Sequence, residues 1–273
     1  MAENSPIIRL EGVHKTLEGH VVLNGVDLAI YPAQTTVVIG PSGCGKSVLL
    51  KTIVGLFRPD RGNVYYREHL VSAMSERQLV AIRRRIGFLF QGSALFDSMT
   101  VEQNICFPLE EHGQGTAQQK KKRCREVLSL VGLDGLQERF PGELSGGQVK
   151  RVALARAIVL EPEVILYDEP TTGLDPIRAD LINELIVKLQ ETLGTTAVVV
   201  THDMNSARRV GDRIVMLYGG SFVVDSTPDK LERVNNEVVA RFVEGRASPE
   251  ELAQIETGRL MFNHARAAER ENG

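Results

Sequence analysis

Two glycine-bearing helix starts and one pair of adjacent acids carry the chemistry of this sequence. The stretch "GPSGCGKS", residues 40–47, fits the pattern G-x-x-x-x-G-K-[ST]. It follows the apolar run "TTVVIG" and opens a helical stretch, which is the setting the pattern requires. Glycines let successive backbone N–H groups point into one concavity, and a helix start adds positive dipole, so the loop suits phosphate. Gly40, Pro41, Ser42, Gly43, Cys44, Gly45, Lys46 and Ser47, with Val48 just inside the helix, are the expected contacts. Lys46 can reach the outer phosphates, and the Ser47 hydroxyl can serve Mg²⁺. Cys44 reads as a small loop residue rather than a nucleophile. Downstream, "VILYDEP" ends a buried strand in Asp168 and Glu169. Asp168 fits a Mg²⁺-organising acid, leaving Glu169 to orient and polarise an attacking water. The bland reading, a strand running into an acidic loop, weakens once a phosphate loop stands upstream.

Gln91 follows the apolar run "IGFLF", and His202 follows "TAVVVT". Each should emerge at the carboxyl edge of a parallel sheet, where such sheets bind ligands. A neutral His202 imidazole there can touch a terminal phosphate. A lone Gln or His after a strand says little; these two gain weight because two phosphate motifs end on the same kind of edge. The second helix start is "ELSGGQVKR". Ser145 is a good N-cap, and Gly146 and Gly147 leave backbone N–H groups open to an anion, with Gln148 next in line. No second phosphate loop accompanies it.

The elements that must position these residues follow from the spacing of apolar residues. "PIIRLEGVHKTL" and "HVVLNGVDLAIYP" read as strands broken by Gly, Asn and Pro. "TTVVIG", "IGFLF", "VILYDE" and "TAVVVTHD" are continuous apolar runs, as expected of parallel strands covered on both faces. "KSVLLKTIVGLF" is helical until "RPDRG", and residues 91–160 are mostly helical. "DPIRADLINELIVKLQETLG" is a helix, and "RIVMLYGGSFVVDSTP" a hairpin turning at Gly219 and Gly220. In the tail, Leu231, Val234, Val238 and Phe242 lie near one helical face. A second tail helix is expected at "SPEE", with Ser248 as N-cap, Pro249 at its first position and Glu251 closing a capping box. The basic run "QQKKKR", residues 118–123, reads as a solvated helix face.

Bulk properties exclude several classes. The chain has 273 residues, 42% hydrophobic and 25% charged, which is ordinary for a globular protein. A net charge of -3 gives no basic field for nucleic acid. Three cysteines, Cys44, Cys106 and Cys124, have no metal-like spacing and argue against a disulfide framework. "MAENSPIIRL" has no secretory-signal core, and no run approaches the roughly 18–20 apolar residues of a membrane helix.

The order "GPSGCGKS", Gln91, "LSGGQ", "VILYDEP", "GLDP", His202 resembles the nucleotide-binding subunit of an ABC transporter, over about residues 7–229. The resemblance implies an α/β fold: a P-loop NTPase core with a parallel sheet, an N-terminal antiparallel β subdomain and a helical subdomain inserted at about 92–160. Residues 230–273 then form a helical C-terminal extension. The cofactors implied are ATP and Mg²⁺, the metal held by Ser47, Asp168 and Gln91. Glu169 becomes the catalytic glutamate, acting with His202, Gln91 and Lys46. Asp175 becomes the D-loop aspartate. Ser145, Gly146, Gly147 and Gln148 would cap the γ-phosphate of a nucleotide held by a second copy, the two copies lying head to tail. Two departures stand out. Leu17 takes the place of an aromatic residue that usually stacks on adenine, with His14 and His20 nearby. Lys150 stands where many relatives carry Gln, whereas Arg151 matches.

"FQGSALFDSMTVEQNICFPLEEH", "GKSVLLKTIVGL" and "DEPTTGLDPI" further resemble ATPases of the maintenance-of-lipid-asymmetry (Mla) type. Those drive a membrane permease coupled to an Mce-domain lipid-binding protein, at the cytoplasmic face of the bacterial inner membrane, and move phospholipid between membranes. Leu95 and Phe96 read equally as a groove for a permease helix or as helical-subdomain core. An importer ATPase for another solute, such as an amino acid, is the alternative. A non-transport ATPase acting on DNA or ribosomes fits less well, for there is one cassette, no coiled-coil insertion and no basic face.

Overall fold

The computed structural model describes residues 5–249 together with 252 and 253. The chain divides into two compact units, Met1–Asp229 and Lys230–Gly273.

The first unit opens with β1 (Ile8–Leu17) and β2 (His20–Ile30), an antiparallel pair. Val26, Leu28 and Ile30 are buried while Asp27 faces out, the period-two alternation of a sheet with one wet face. β3 (Thr35–Ile39) is buried at every position and leads through the glycine loop into α1 (Lys46–Ile53). The stretch from Arg61, the fourth residue of "RPDRG", for which apolar spacing predicts no element, forms β4 (Arg61–Tyr66), the short β5 (His69–Leu70) and α2 (Glu76–Arg83). β4 and β5 complete a four-stranded sheet in the order β2-β1-β4-β5. Next comes β6 (Ile86–Leu89), then three helices: α3 (Val101–Glu111), α4 (Ala117–Leu130) and α5 (Gly146–Ile158). β7 (Val164–Asp168), α6 (Pro176–Leu193), β8 (Thr196–Thr201), α7 (Met204–Val210) and β9 (Arg213–Tyr218) alternate, with β10 (Ser221–Ser226) closing the unit. The second sheet has the order β10-β9-β3-β8-β7-β6 and is parallel except at β10. β7 and β8, like β3, are buried throughout, as expected of strands covered on both faces.

Four helices begin with the same device. Ser75 and Gln78, Thr100 and Gln103, Thr116 and Gln119, and Ser145 and Gln148 each form a capping box. The Gln side chain accepts from the cap residue's own N–H, at 2.8 Å for Ser145. Asn104 of α3 is fully buried and latches the preceding loop: its Oδ1 accepts from Phe96 N (2.8 Å), and its amide donates to Phe96 O (3.0 Å). Within the basic run of α4, Lys121 and Lys122 are exposed as expected. Arg123 is not: it donates to the carbonyls of Ile158 and Val159 and so ties α4 to the end of α5.

The β9–β10 hairpin turns at Gly219 and Gly220, whose φ of 57° and 81° suit a two-residue turn. It also joins the two sheets. Asn24 N of β2 donates to Gly220 O (2.8 Å), and Ser221 Oγ donates to Asn24 O (3.0 Å).

Two expectations need correction. Cys106 of α3 and Cys124 of α4 are joined in a disulfide, leaving Cys44 as the free cysteine. Sequence spacing hides this pairing because the packing of α3 on α4 brings the two Cα atoms to 6.0 Å. In the second unit the tail is not one helix. A 3₁₀ turn at Leu231–Arg233 gives way to an extended Val234 (ψ 121°), and α8 (Glu237–Glu244) starts afresh. Asn236 causes the break, its side chain accepting from the N–H groups of Val238 and Val239. The helix expected after it does begin: Pro249 is helical and Leu252 N donates to Ser248 O (3.0 Å). Glu251 lies outside the described residues.

The cysteine pairing is countable. Thiol titration of the unfolded, unreduced protein should find one thiol, and three after reduction. Reduction should cost about 3 kcal/mol of stability for a loop of this length. Three thiols before reduction would disprove the bond.

Candidate phosphate-binding site

The carboxyl ends of β3, β6, β7 and β8 meet at one edge, and the candidate residues sit there. Gly45 is the N-cap of α1 and has no side chain to satisfy the helix's first N–H groups. Those donors are left for an anion. The glycine is required twice over. Its φ is +105°, and a Cβ there would lie 2.6 Å from Val22 Cγ1. A Cβ at Gly40 would lie 2.3 Å from the carbonyl oxygen of Leu217. The loop is a cradle that side chains would fill.

Lys46 is 6% exposed, and its ammonium donates to Gly40 O (2.8 Å) and Pro41 O (2.9 Å). It also lies 3.6 Å from Glu169 Oε1. Ser47 Oγ donates to Asp168 Oδ1 at 2.7 Å. This places a hydroxyl and a carboxylate side by side, the hard-oxygen donor set that Mg²⁺ takes. Burial pushes the Asp168 carboxyl up, and the Ser47 hydrogen bond opposes it. Glu169 is buried and sits at φ 49°, a left-handed conformation that few L-residues adopt. Its Oε2 pairs with His202 Nδ1 (2.9 Å) and accepts from Thr172 Oγ1 (3.1 Å). Thr172 is a support that sequence spacing does not reveal. Burial pushes the Cys44 thiol up, so it behaves as a packing residue.

A cavity of about 420 Å³ unites Ser42, Gly43, Gly45, Lys46, Ser47, Val48, Gln91, Glu169 and His202, with Leu17 and Val22 as an aliphatic wall. Leu17 thus does line the cavity, but with no aromatic face. A larger cavity, about 570 Å³, lies beyond His202 between α6 and α7. It has no glycine loop opening a helix, which leaves the smaller one as the candidate for phosphate.

Other candidates lie apart from that cavity. Ser145 and Gly146 are exposed at the start of α5, and neither they, Gly147, Gln148 nor Asp175 line its walls. The Ser145 hydroxyl accepts from Gln148 N, and the Gln148 side chain is spent on the same cap. Asp175 caps α6, accepting from Arg178 N (3.1 Å). The two helix starts are neighbours: Gly147 packs on Arg178, whose Cδ would lie 3.6 Å from a Cβ at that glycine. Leu95 is half-buried. Phe96 is 40% exposed with its ring 4.8 Å from that of Phe107. Lys150 is buried, and its ammonium donates to the carbonyl of Gln91. That contact could be sought in sequence only as one of three cations in the otherwise apolar "VKRVALARAIV".

Both the sequence and the fold have known relatives. The family model described as ABC transporter matches residues 23–172. The probable ribonucleotide transport ATP-binding protein mkl of Mycobacterium tuberculosis is 40% identical over 239 residues, 88% of this chain and 67% of that protein. The intermembrane phospholipid transport system ATP-binding protein MlaF of Escherichia coli is 36% identical over 241 residues, 88% of this chain and 90% of that protein. Among solved structures, the dimeric post-hydrolysis state of the ATP-binding cassette MJ0796 with ADP and Pi superposes with a TM-score of 0.75. It is 36% identical and covers 81% of this chain and 98% of that one.

Two glycines separate the loop from the second helix start. Gly45→Ala should weaken ATP binding to the isolated chain at least about tenfold by calorimetry, because the new methyl collides with Val22. Gly146→Ala should leave that affinity unchanged, its Cβ meeting Leu174 at an ordinary 3.6 Å. Equal losses would show that both glycine starts serve one nucleotide within a single chain.

Proposed function

This chain belongs to the ABC transporter family of ATP-hydrolysing subunits, and on that premise we propose that it powers a membrane permease moving phospholipid between membranes. The observation that carries the lipid reading is the match to the E. coli phospholipid transport protein over 90% of that protein's length. The resemblance of residues 90–112 to Mla-type ATPases supports it, since Phe96 in this segment offers an exposed ring to a partner. No helix among the described residues is long and apolar enough to cross a membrane. In this reading attachment is peripheral, through permease subunits at the cytoplasmic face of the inner membrane, with an Mce-domain protein as lipid carrier.

Two copies act together. Ser145 and Gly146 stand exposed outside their own chain's phosphate cavity, and the MJ0796 cassette was solved as a dimer. Head-to-tail pairing with two-fold symmetry brings each α5 start, and the neighbouring Asp175, onto the nucleotide of the other copy. ATP lies along residues 40–48 with its outer phosphates at Lys46. Ser47, Asp168 and Gln91 would hold Mg²⁺, which neutralises phosphate charge when bound. Glu169 is the general base. Its carboxylate, fixed by His202 and Thr172, polarises a water for in-line attack on the γ-phosphate. His202 contacts that phosphate from the same side as Glu169. Hydrolysis rests on positioning and charge more than on covalent chemistry.

A second reading, a transport ATPase for a different solute, is favoured by the match to the ribonucleotide transport protein. Purification from membranes decides between them. An Mce-domain partner carrying phospholipid supports the lipid reading, and a soluble solute-binding protein in its place overturns it.

Two variants test the shared site. Glu169→Gln keeps the shape of the side chain but removes the base, so kcat should fall at least about 10²-fold while ATP binding persists and dimers accumulate. Parent-rate hydrolysis would remove Glu169 from its role. Ser145→Arg should leave ATP binding to the isolated chain intact and abolish hydrolysis. Lost binding instead would refute the two-copy site.

A further inference from the structure

The loop that follows β6 is held by cations from a single helix. Lys150 donates from its ammonium to the carbonyl of Gln91. Arg156 donates through Nη1 to Ala94 O (2.7 Å) and through Nη2 to Ser93 O (2.8 Å). Both belong to α5, the helix that begins at the Ser145 cap. They stand six residues apart, about 9 Å along the axis, so the loop is pinned at two heights. Ser93 and Ala94 need such support. Both are left-handed, at φ 63° and 49°, and a pair of such residues persists only where surroundings hold it.

Lys150 is an uneconomical choice for filling space. It is 6% exposed, and its hydrogen bond runs to a neutral carbonyl. An apolar side chain would fill the same volume without a buried charge. Burial pushes its ammonium pKa down, while the charges of Asp168 and Glu169 favour the cation. What Lys150 adds over an apolar residue is a directed bond to the backbone of Gln91, a residue that lines the phosphate cavity.

We propose that Lys150 is a positioning residue that locks the Gln91 backbone to α5, so that a displacement of the Ser145 end of that helix is transmitted to the Gln91 side chain. Arg156 is the second anchor, holding the strained turn at residues 93 and 94 rigid enough to pass the movement on. Nucleotide contact at one copy's α5 start thereby reaches the cavity of that same copy. The inference rests on placing Gln91 in the nucleotide site.

Steady-state ATP hydrolysis by the full chain tests it. Lys150→Met, of similar length but without a donor, should lower kcat about tenfold while ATP affinity stays within about twofold. Lys150→Gln, which restores an N–H donor without charge, should recover most of kcat. In a Gln91→Ala background, Lys150→Met should lower kcat no further, because both act through one side chain. A tenfold fall that persists in that background overturns the inference, as does parent-level kcat in Lys150→Met. So does a Gln variant as slow as the Met variant. Should Lys150→Met fail to fold, the smaller Lys150→Ala takes its place in both backgrounds. If Gln91→Ala alone kept the parent kcat, the placement of Gln91 would be wrong, and the inference would fall with it.

Discussion

The register of three parallel strands fixes the site. Val38 of β3 and Asp168 of β7 both pair with Val200 of β8, so the three strands finish level. The glycine loop from β3, the two acids from β7 and His202 from β8 all leave that common edge. The Ser47–Asp168 hydrogen bond at 2.7 Å is a direct outcome, since α1 and the end of β7 are held opposite one another. A slip of one residue in β7 would turn Asp168 to the other face and bring Tyr167 to the Ser47 hydroxyl. The unbroken burial of β3, β7 and β8 guards against such a slip only through packing, which explains why so much of the core is devoted to this one sheet.

The helices between β6 and β7 answer a different need. They begin with repeated Ser/Thr-x-x-Gln boxes, which give each a sharp start within a segment rich in turns. The start of α5 uses the same box as its neighbours, yet it alone follows the cap residue with two glycines. Its side-chain chemistry is spent on its own helix, so its remaining offer to a ligand is backbone N–H and dipole. α5 thus carries an exposed glycine start outward while Lys150 and Arg156 grip the loop after β6.

Legibility followed locality. The phosphate loop, Asp168, Glu169 and the parallel strands could be read because each is a contiguous run whose neighbours in sequence are its neighbours in space. The hairpin at Gly219 and Gly220 was visible for the same reason. Hidden features depend on contacts between distant segments. The bond between Cys106 and Cys124 needs α3 packed on α4, and Lys150 gains its meaning only beside Gln91, 59 positions away. Between residues 61 and 83, short strands and an eight-residue helix leave too few apolar repeats to register. The tail broke at Asn236 because a side chain competed successfully with the helix for its own backbone, which apolar periodicity does not report.

The β9–β10 turn has the appearance of dispensable surface: two glycines, no chemistry and a position at the end of the unit. Yet its Gly220 carbonyl grips Asn24, and two residues earlier Val22 leans on Gly45 of the phosphate loop. The tip is therefore one strand removed from the nucleotide cavity. Anyone choosing a place to insert an epitope, a fluorophore or a fusion partner would find the exposed Gly219 attractive, although Gly220 beside it is buried. The path through Asn24 and Val22 makes it a poor graft point, and a label placed there would report on the cavity rather than sit beside it silently.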